Sequence, residues 1–381
     1  MSKKIGITGP NGFIARWVAE RLGREEGCNV VTLGREAWDD ARVLRSFVSQ
    51  CETIIHLAGV NRGDDEEVEQ VNAGLAQSLV DACRAEDAKP HLIYSSTTKR
   101  EDDTPYGRGK RLAETILADW ANESSGSATT LVIPNVFGAG CRPFYNSVVA
   151  TFCHQLTHGE VPSVTGDAEL ELLWVGDLAE KISSVALGSA EPGHAVHTLT
   201  GSEPLRVTDL LRLITSFRNS YFERDVIPDL TTPLRTTLYS TFLSYLDIED
   251  HIHRPPVHSD ARGDLCEVIK TDAGGQVFFS TTAPGVTRGN HYHTRKIEWF
   301  CVVRGEATIR LRSIHDERVR EFSVSGDRPQ FLSIPVLHTH SIENTGDKEL
   351  LTLFWTNELY DAHNPDTFYE DVLSLPAKAV A

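Results

Sequence analysis

The chain has 381 residues, 40% of them hydrophobic and 24% charged, with a formal charge of −17. That length accommodates two domains with sizeable cores, and the composition excludes a disordered class. The acidic balance excludes nucleic acid or an acidic membrane as partners, because both demand broad basic surfaces.

The N-terminus, MSKKIGITGP, lacks an apolar signal core, and the chain holds no 18-residue apolar run. A cytoplasmic protein without membrane insertion is therefore expected. Seven cysteines, scattered and never spaced C-x-x-C, predict reduced thiols rather than a disulfide frame or thiolate metal site.

From Lys4 to about Ala186, short β-rich runs (KIGIT, NVVTL, TIIHLAG, HLIYSS, TLVIPNV) alternate with amphipathic stretches such as ARWVAERLGRE and AGLAQSLVDACRAE. This rhythm predicts an α/β Rossmann-type, doubly wound parallel sheet. The turn Thr8-Gly9-Pro10-Asn11-Gly12-Phe13-Ile14-Ala15 follows the first strand and opens a helix. Glycines there let backbone amides approach a pyrophosphate, and the helix start supplies partial positive charge. Gly9, Asn11, Gly12, Phe13 and Ile14 are the candidate cofactor contacts, together with Leu57, Ala58 and Gly59 after the third strand. After the second strand stands Arg35, where an NAD enzyme usually places an acid; an arginine accepts a 2′-phosphate, so NADPH is the expected cofactor.

Tyr106 and Lys110 are spaced i, i+4, which puts both on one helix face. A phenol of ordinary pKa about 10 is a poor acid–base catalyst near neutrality, and a neighbouring ammonium lowers that value. Tyr106 would then protonate the alkoxide formed as hydride reaches a ketone. Ser95, Ser96 and Thr97 end the preceding strand; position favours Thr97 as the hydroxyl that orients the carbonyl, with Ser96 close behind.

Helical periodicity dominates from Leu205 to Tyr245, broken at Pro228 and Pro233. Residues 247–259, with Pro255-Pro256, show no clear period and are expected to form a linker in which His251, His253 and His258 are solvated. From Gln276 onward short strands recur with turn signals, the pattern of an antiparallel barrel. Within it lies G-x5-H-x-H-x4-E-x6-G, running from Gly285 to Gly305, with His340 and Asn344 following. His291 and His293 alternate on a strand and share a face; with Glu298 and His340 they complete a nitrogen and oxygen donor set suited to a divalent metal, zinc being favoured. His338 shares the strand parity of His340, which leaves it a supporting group, a proton carrier or a surface histidine.

Residues 1–246 resemble the extended short-chain dehydrogenase/reductase superfamily, on TGPNGFIA, the strand-end hydroxyls and Y-x-x-x-K. That resemblance implies the roles given above for Tyr106, Lys110 and Thr97 or Ser96, and makes Asn135 in PNVFG a contact to cofactor and substrate. An arginine often found just before this asparagine is absent, with Val132 and Ile133 there instead; Arg142 and Asn146 in CRPFYNS are candidate nucleotide-sugar ligands.

Residues 260–381 resemble the cupin superfamily, although Leu337 stands where its second motif usually has glycine, which puts that turn in question. Arg262, Glu267 and Arg288 are similar to the substrate-holding residues of dTDP-sugar 3,5-epimerases, whose catalytic base falls at His291; the accompanying His293, Glu298 and His340 favour the metal-ligand reading of His291.

Domain order and the segments GNHYHTRKIEWFCVV and LFWTNELYDAHNPDTFYEDV resemble bacterial bifunctional enzymes of capsule and lipopolysaccharide precursor synthesis. The resemblance implies a UDP-activated 4-keto-6-deoxy amino sugar as substrate, handled by a homodimer. It implies C3 epimerisation of a UDP-2-acetamido-2,6-dideoxy-4-hexulose in the barrel, then NADPH-dependent C4 reduction. The product would be UDP-2-acetamido-2,6-dideoxy-β-L-talose, on the path to UDP-N-acetyl-L-fucosamine. The alternative is a single-step nucleotide-sugar 4-ketoreductase whose barrel is a structural, dimerising module.

Overall fold

The computed structural model describes residues 2–254, 257–260, 263–266, 271–272, 276–358 and 363–374. The chain divides into two compact units, Met1–Phe137 with Glu169–Leu205, and Gly138–Ala168 with Arg206–Ala381.

The first unit begins with β1 (Lys3–Thr8), α1 (Phe13–Gly23), β2 (Cys28–Leu33), α2 (Ala41–Gln50) and β3 (Thr53–His56). It continues with α3 (Asp65–Ala85), β4 (His91–Thr97), α4 (Pro105–Ser124), β5 (Ser127–Ile133) and β6 (Asn135–Phe137). After α5 (Val148–Thr157) in the second unit come β7 (Glu169–Leu170), β8 (Leu172–Trp174), α6 (Val175–Leu187), β9 (Gly193–Thr198) and β10 (Leu205–Arg206). Strands β2-β1-β3-β4-β5-β9 form one six-stranded parallel sheet, as the alternating β and α pattern predicts. The edge strand β9 escaped sequence reading because GHAVHT is mostly exposed and lacks an apolar run.

Local chemistry fixes the helices that matter for function. Asp64 caps α3 by accepting from the Glu66 amide at 3.1 Å, and three acidic residues in the first turn complement the helix dipole. Thr104 caps α4, accepting from the Gly107 amide at 3.1 Å, with Pro105 at the first helical position. Leu44, Phe47 and Val48 of α2, Leu79 and Val80 of α3, and Leu117 and Trp120 of α4 join β3 and β4 in one hydrophobic cluster. Gly109 lets α3 and α4 meet closely, since a Cβ there would lie 3.0 Å from the Glu69 carbonyl oxygen.

The second unit carries α7 (Val207–Asn219), α8 (Pro233–Leu243), β11 (Ile252–His253), β12 (Val257–Asp260), β13 (Gly263–Cys266) and β14 (Gln276–Thr282). There follow β15 (Thr287–Tyr292), β16 (Glu298–Arg304), β17 (Glu306–Ser313), β18 (Arg320–Ser325) and β19 (Phe331–Ile334). Last come β20 (His338–Asn344), β21 (Leu350–Thr356) and β22 (Phe368–Tyr369). Two five-stranded sheets, β11-β19-β16-β21-β14 and β18-β17-β20-β15-β22, are built from antiparallel pairs, confirming the expected all-β architecture. Phe300, Val302, Leu332, Ile334 and Phe354 of one sheet join Ile309, Leu311 and Ile342 of the other in a shared core.

Two of the three histidines expected to be solvated are not. His251 and His253 are buried. The His251 Nδ1 lies 2.5 Å from the Ser333 hydroxyl, while His253 pairs with Asp225 at 2.5 Å and stacks on Trp299 at 4.5 Å. Their partners lie far along the chain, so the irregular local sequence gave no sign of burial. His258 falls on β12, where only the backbone is described. Leu337 adopts φ +59°, so the turn usually made by glycine is kept, with Leu337 N–H donating to the His293 carbonyl at 2.9 Å.

Candidate functional site

At the first strand's end, the Thr8 hydroxyl accepts from the amides of Leu57 and Ala58 at 3.1 and 3.0 Å and pairs with His56 Nδ1 at 2.9 Å. This ties the third strand's exit to the glycine turn. Gly9 has φ +67°, and a Cβ there would lie 2.9 Å from Ala58 Cα, so neither conformation nor space admits a side chain. Gly12 precedes α1, whose first turn holds no acidic residue and whose N-cap makes no side-chain hydrogen bond. The amides of Phe13 and Ile14 thus stand at an uncapped helix start, a fit for a pyrophosphate. Asn11 is exposed beside them. Burial pushes His56 down to about 3, with the Lys110 charge adding to the effect, so this histidine is a neutral structural group.

Arg35 is exposed at the first residue of a short 3-10 turn after β2, and among the described residues no carboxylate pairs with it. Gly59 packs against Asn72, whose side chain donates to the Val60 and Val68 carbonyls at 2.7 Å each and accepts from the Val60 amide at 3.2 Å. Asn72, 3% exposed, therefore shapes the loop after Leu57, Ala58 and Gly59. The sequence reading missed it, although a polar residue between Val68 and Ala76 on an apolar helix stripe is a signal.

Tyr106 and Lys110 lie in the first two turns of α4 and share a face. The Lys110 Nζ is 5.7 Å from the Tyr106 ring centre and 4.9 Å from that of Tyr94, and donates to the Ser95 carbonyl at 2.8 Å. Burial pushes the Lys110 ammonium down to about 8. Thr97 caps the following 3-10 turn by accepting from the Lys99 amide, whereas Ser96 is buried with its hydroxyl 3.5 Å from Glu114. Asn135 opens β6, its amide nitrogens held by the Glu171 carbonyl.

Of the candidate sugar ligands, Arg142 and Asn146 are exposed in the loop before α5, with the Arg142 guanidinium 5.3 Å over the Tyr145 ring. Arg288 donates to the Thr281 carbonyl at 3.0 Å on β15. Arg262 and Glu267 lie outside the described residues.

In the second unit, His291, His293, Glu298 and His340 bring ligand atoms within 4.8 Å of one another. Register pairs His291 on β15 with His340 on β20, next to a bulge at Gly289–His291; Glu298 opens β16. Glu298 Oε2 lies 3.0 Å from His293 Nε2 and 3.3 Å from His340 Nε2, yet none of these buried atoms makes a hydrogen bond of acceptable geometry. His293 Nδ1 faces the Asp366 carbonyl at 2.5 Å and His340 Nδ1 faces the His338 carbonyl at 3.3 Å. A carbonyl only accepts, so each Nδ1 carries a proton, and the Nε2 atoms of His293 and His340 face the carboxylate. A proton on one imidazole or a metal ion would satisfy these converging atoms. Tetrahedral zinc with bonds of about 2.0–2.1 Å separates its ligands by about 3.3 Å, close to the distances from Glu298 to His293 and to His340. Burial opposes a charge on Glu298, but with no metal between them a protonated His293 outweighs it and holds the carboxyl well below its ordinary range, while Glu298 in turn overcomes the burial of His293 and raises that imidazole. Burial pushes His291 down to about 3, helped by His340 and His293, which keeps it neutral as a ligand must be.

Residues 5–196 match the NAD dependent epimerase/dehydratase family, and residues 258–368 match the polysaccharide biosynthesis C-terminal domain. The chain is 34% identical, over 96% of its length and 98% of the relative's, to a UDP-2-acetamido-2,6-beta-L-arabino-hexul-4-ose reductase of Pseudomonas aeruginosa. It is likewise 34% identical to the capsular polysaccharide assembling protein CapF of Staphylococcus aureus, whose crystal structure superposes with a TM-score of 0.64 over 97% of this chain and 100% of that one. Its C-terminal part is 26% identical over 119 residues, 29% of this chain and 79% of the relative, to the spore coat polysaccharide biosynthesis protein SpsL of Bacillus subtilis.

Proposed function

The chain belongs to the NAD dependent epimerase/dehydratase family, and we propose that it works on a UDP-activated 4-keto sugar in two steps, one in each unit. The substrate is a UDP-2-acetamido-2,6-dideoxy-4-hexulose, inverted at C3 by the barrel and then reduced at C4 to UDP-2-acetamido-2,6-dideoxy-β-L-talose, on the path to UDP-N-acetyl-L-fucosamine. The observation that carries the reduction is the buried Lys110 ammonium on the face of α4 that presents Tyr106. End-to-end similarity to a hexul-4-ose reductase supports the sugar class.

NADPH, when bound on the glycine turn and Arg35, would supply hydride to C4. Tyr106 gives its phenolic proton to the C4 oxygen as that oxygen becomes a hydroxyl, and the Lys110 charge stabilises the phenolate left behind. Thr97 or Ser96 holds the carbonyl in line. Arg35 takes the 2′-phosphate, and the amides after Gly9 take the pyrophosphate.

In the barrel, His291, His293, Glu298 and His340 hold a divalent ion, zinc on this donor set. Such an ion polarises a carbonyl and renders the adjacent C–H acidic, the requirement for inversion at C3. Arg288, with Arg262 and Glu267, holds the nucleotide sugar there, and Arg142 and Asn146 are further nucleotide-sugar ligands. The reading carries with it a cytoplasmic reaction and a homodimer.

Incubating the purified protein with the 4-keto sugar nucleotide and NADPH tests it. The account expects one NADPH oxidised per sugar and a product inverted at C3. A product reduced at C4 but unchanged at C3 would reduce the barrel to a structural module, and no oxidation would end the proposal.

A further inference from the structure

Asp366 sits 68 residues beyond the last residue of the His291–Glu298 segment, yet it holds that segment from two sides. It is 3% exposed and lies at φ +45°, a conformation that Asp tolerates better than most residues. Its carboxylate accepts from the amides of Thr294 at 3.2 Å, Arg295 at 2.8 Å and Lys296 at 2.7 Å, and from the Thr294 hydroxyl at 2.6 Å. Three successive amides after His293 are thereby gathered onto one side chain. Its carbonyl oxygen, 2.5 Å from His293 Nδ1, fixes the proton on that nitrogen.

The segment that follows Asp366 is anchored as well. Arg312, 1% exposed, donates to Glu370 at 2.6 Å and to the carbonyls of Asp371 and Val372 at 3.2 and 3.1 Å. Between Asp366 and those anchors, β22 pairs Tyr369 with His291 and Phe368 with Tyr292. The C-terminal segment 366–372 is thus bound to the strand and the turn that present His291 and His293.

We propose that Asp366 is the positioning residue of the barrel's metal centre: its carboxylate sets the 294–296 turn and its carbonyl selects the His293 tautomer whose Nε2 faces Glu298. Asp366 touches no metal itself. Partners of this kind around a ligand histidine are worth roughly 10–100-fold in metal affinity. The inference rests on the metal reading given above.

The test uses the full chain stripped of metal, with cobalt(II) as probe, following its visible absorption and its dissociation constant by chelator competition. In Asp366→Ala, the cobalt dissociation constant should rise about 10–100-fold and the absorption bands should shift as His293 turns. Asp366→Asn, which keeps one acceptor oxygen, should fall between wild type and Asp366→Ala. Thr294→Val removes only the 2.6 Å hydroxyl contact and should weaken binding by a few-fold, on the order of 1 kcal/mol for one hydrogen bond, in a chain that still folds. Far-UV circular dichroism and NADPH binding report the folded fraction separately. A wild-type affinity and spectrum in folded Asp366→Ala would overturn the assignment while leaving the metal site standing. If the wild-type chain binds no cobalt stoichiometrically, the metal reading falls and this inference with it.

Discussion

The Lys110 ammonium lies 5.7 Å from the centre of the Tyr106 ring, one helical turn further along α4. Burial has already drawn Lys110 down to about 8, so its charge is present at neutral pH and lost soon above it. A pH–rate profile for NADPH-dependent reduction should therefore fall above about pH 8. Tyr106→Phe should remove reduction while NADPH binding persists; retained turnover would show that another group delivers the proton.

The same burial sets a stability cost. Lys110 sits at about 8 in the folded chain against an ordinary 10.5, so the unfolded state binds more protons between those values. Stability rises with pH across that window, and below it the buried charge costs on the order of 3 kcal/mol. Lys110→Met should accordingly raise Tm at pH 7 while abolishing reduction, with the gain shrinking above about pH 10. A lower Tm at pH 7 would show that the bond to the Ser95 carbonyl outweighs desolvation.

Much of this was legible in the sequence because it is local. Tyr106 with Lys110, the glycines of the first turn, and His291 with His293 lie within a turn or a strand of one another, where a fixed period decides which side chains meet. What could not be read depends on distant chain. His251 and His253 are buried by Ser333, Asp225 and Trp299, and Asp366 meets His293 from 73 residues away; no local pattern marks such pairings. Thr97 and Ser96 stayed undecided because strand parity puts them on opposite faces of β4, and the structure gives each a protein partner.

Leu337 makes a separate case. Its left-handed backbone costs about 1–2 kcal/mol, but the side chain is 5% exposed. Removing a buried leucine costs about 2–5 kcal/mol. Packing wins, so Leu337→Gly should lower stability by roughly 1–3 kcal/mol in urea unfolding despite restoring the residue usual at such a turn. A more stable variant would show that backbone strain dominates.

In the proposed function, the preference for NADPH rests on Arg35. Arg35→Ser should raise the dissociation constant for NADPH by about tenfold or more, the worth of a charge-assisted bond, and leave that for NADH unchanged. Equal effects on both would deny the 2′-phosphate contact. Gly9→Ala should weaken both nucleotides alike, because its Cβ would lie 2.9 Å from Ala58 Cα.

The two-step account stands on one measurement, the entry of solvent deuterium into the 4-keto sugar nucleotide in D2O without NADPH. The account predicts exchange at C3 in the wild-type chain and in Tyr106→Phe, and its loss in Glu298→Gln or after chelation. Exchange that disappears with Tyr106→Phe, or that never occurs in metal-loaded protein, would contradict two separable sites.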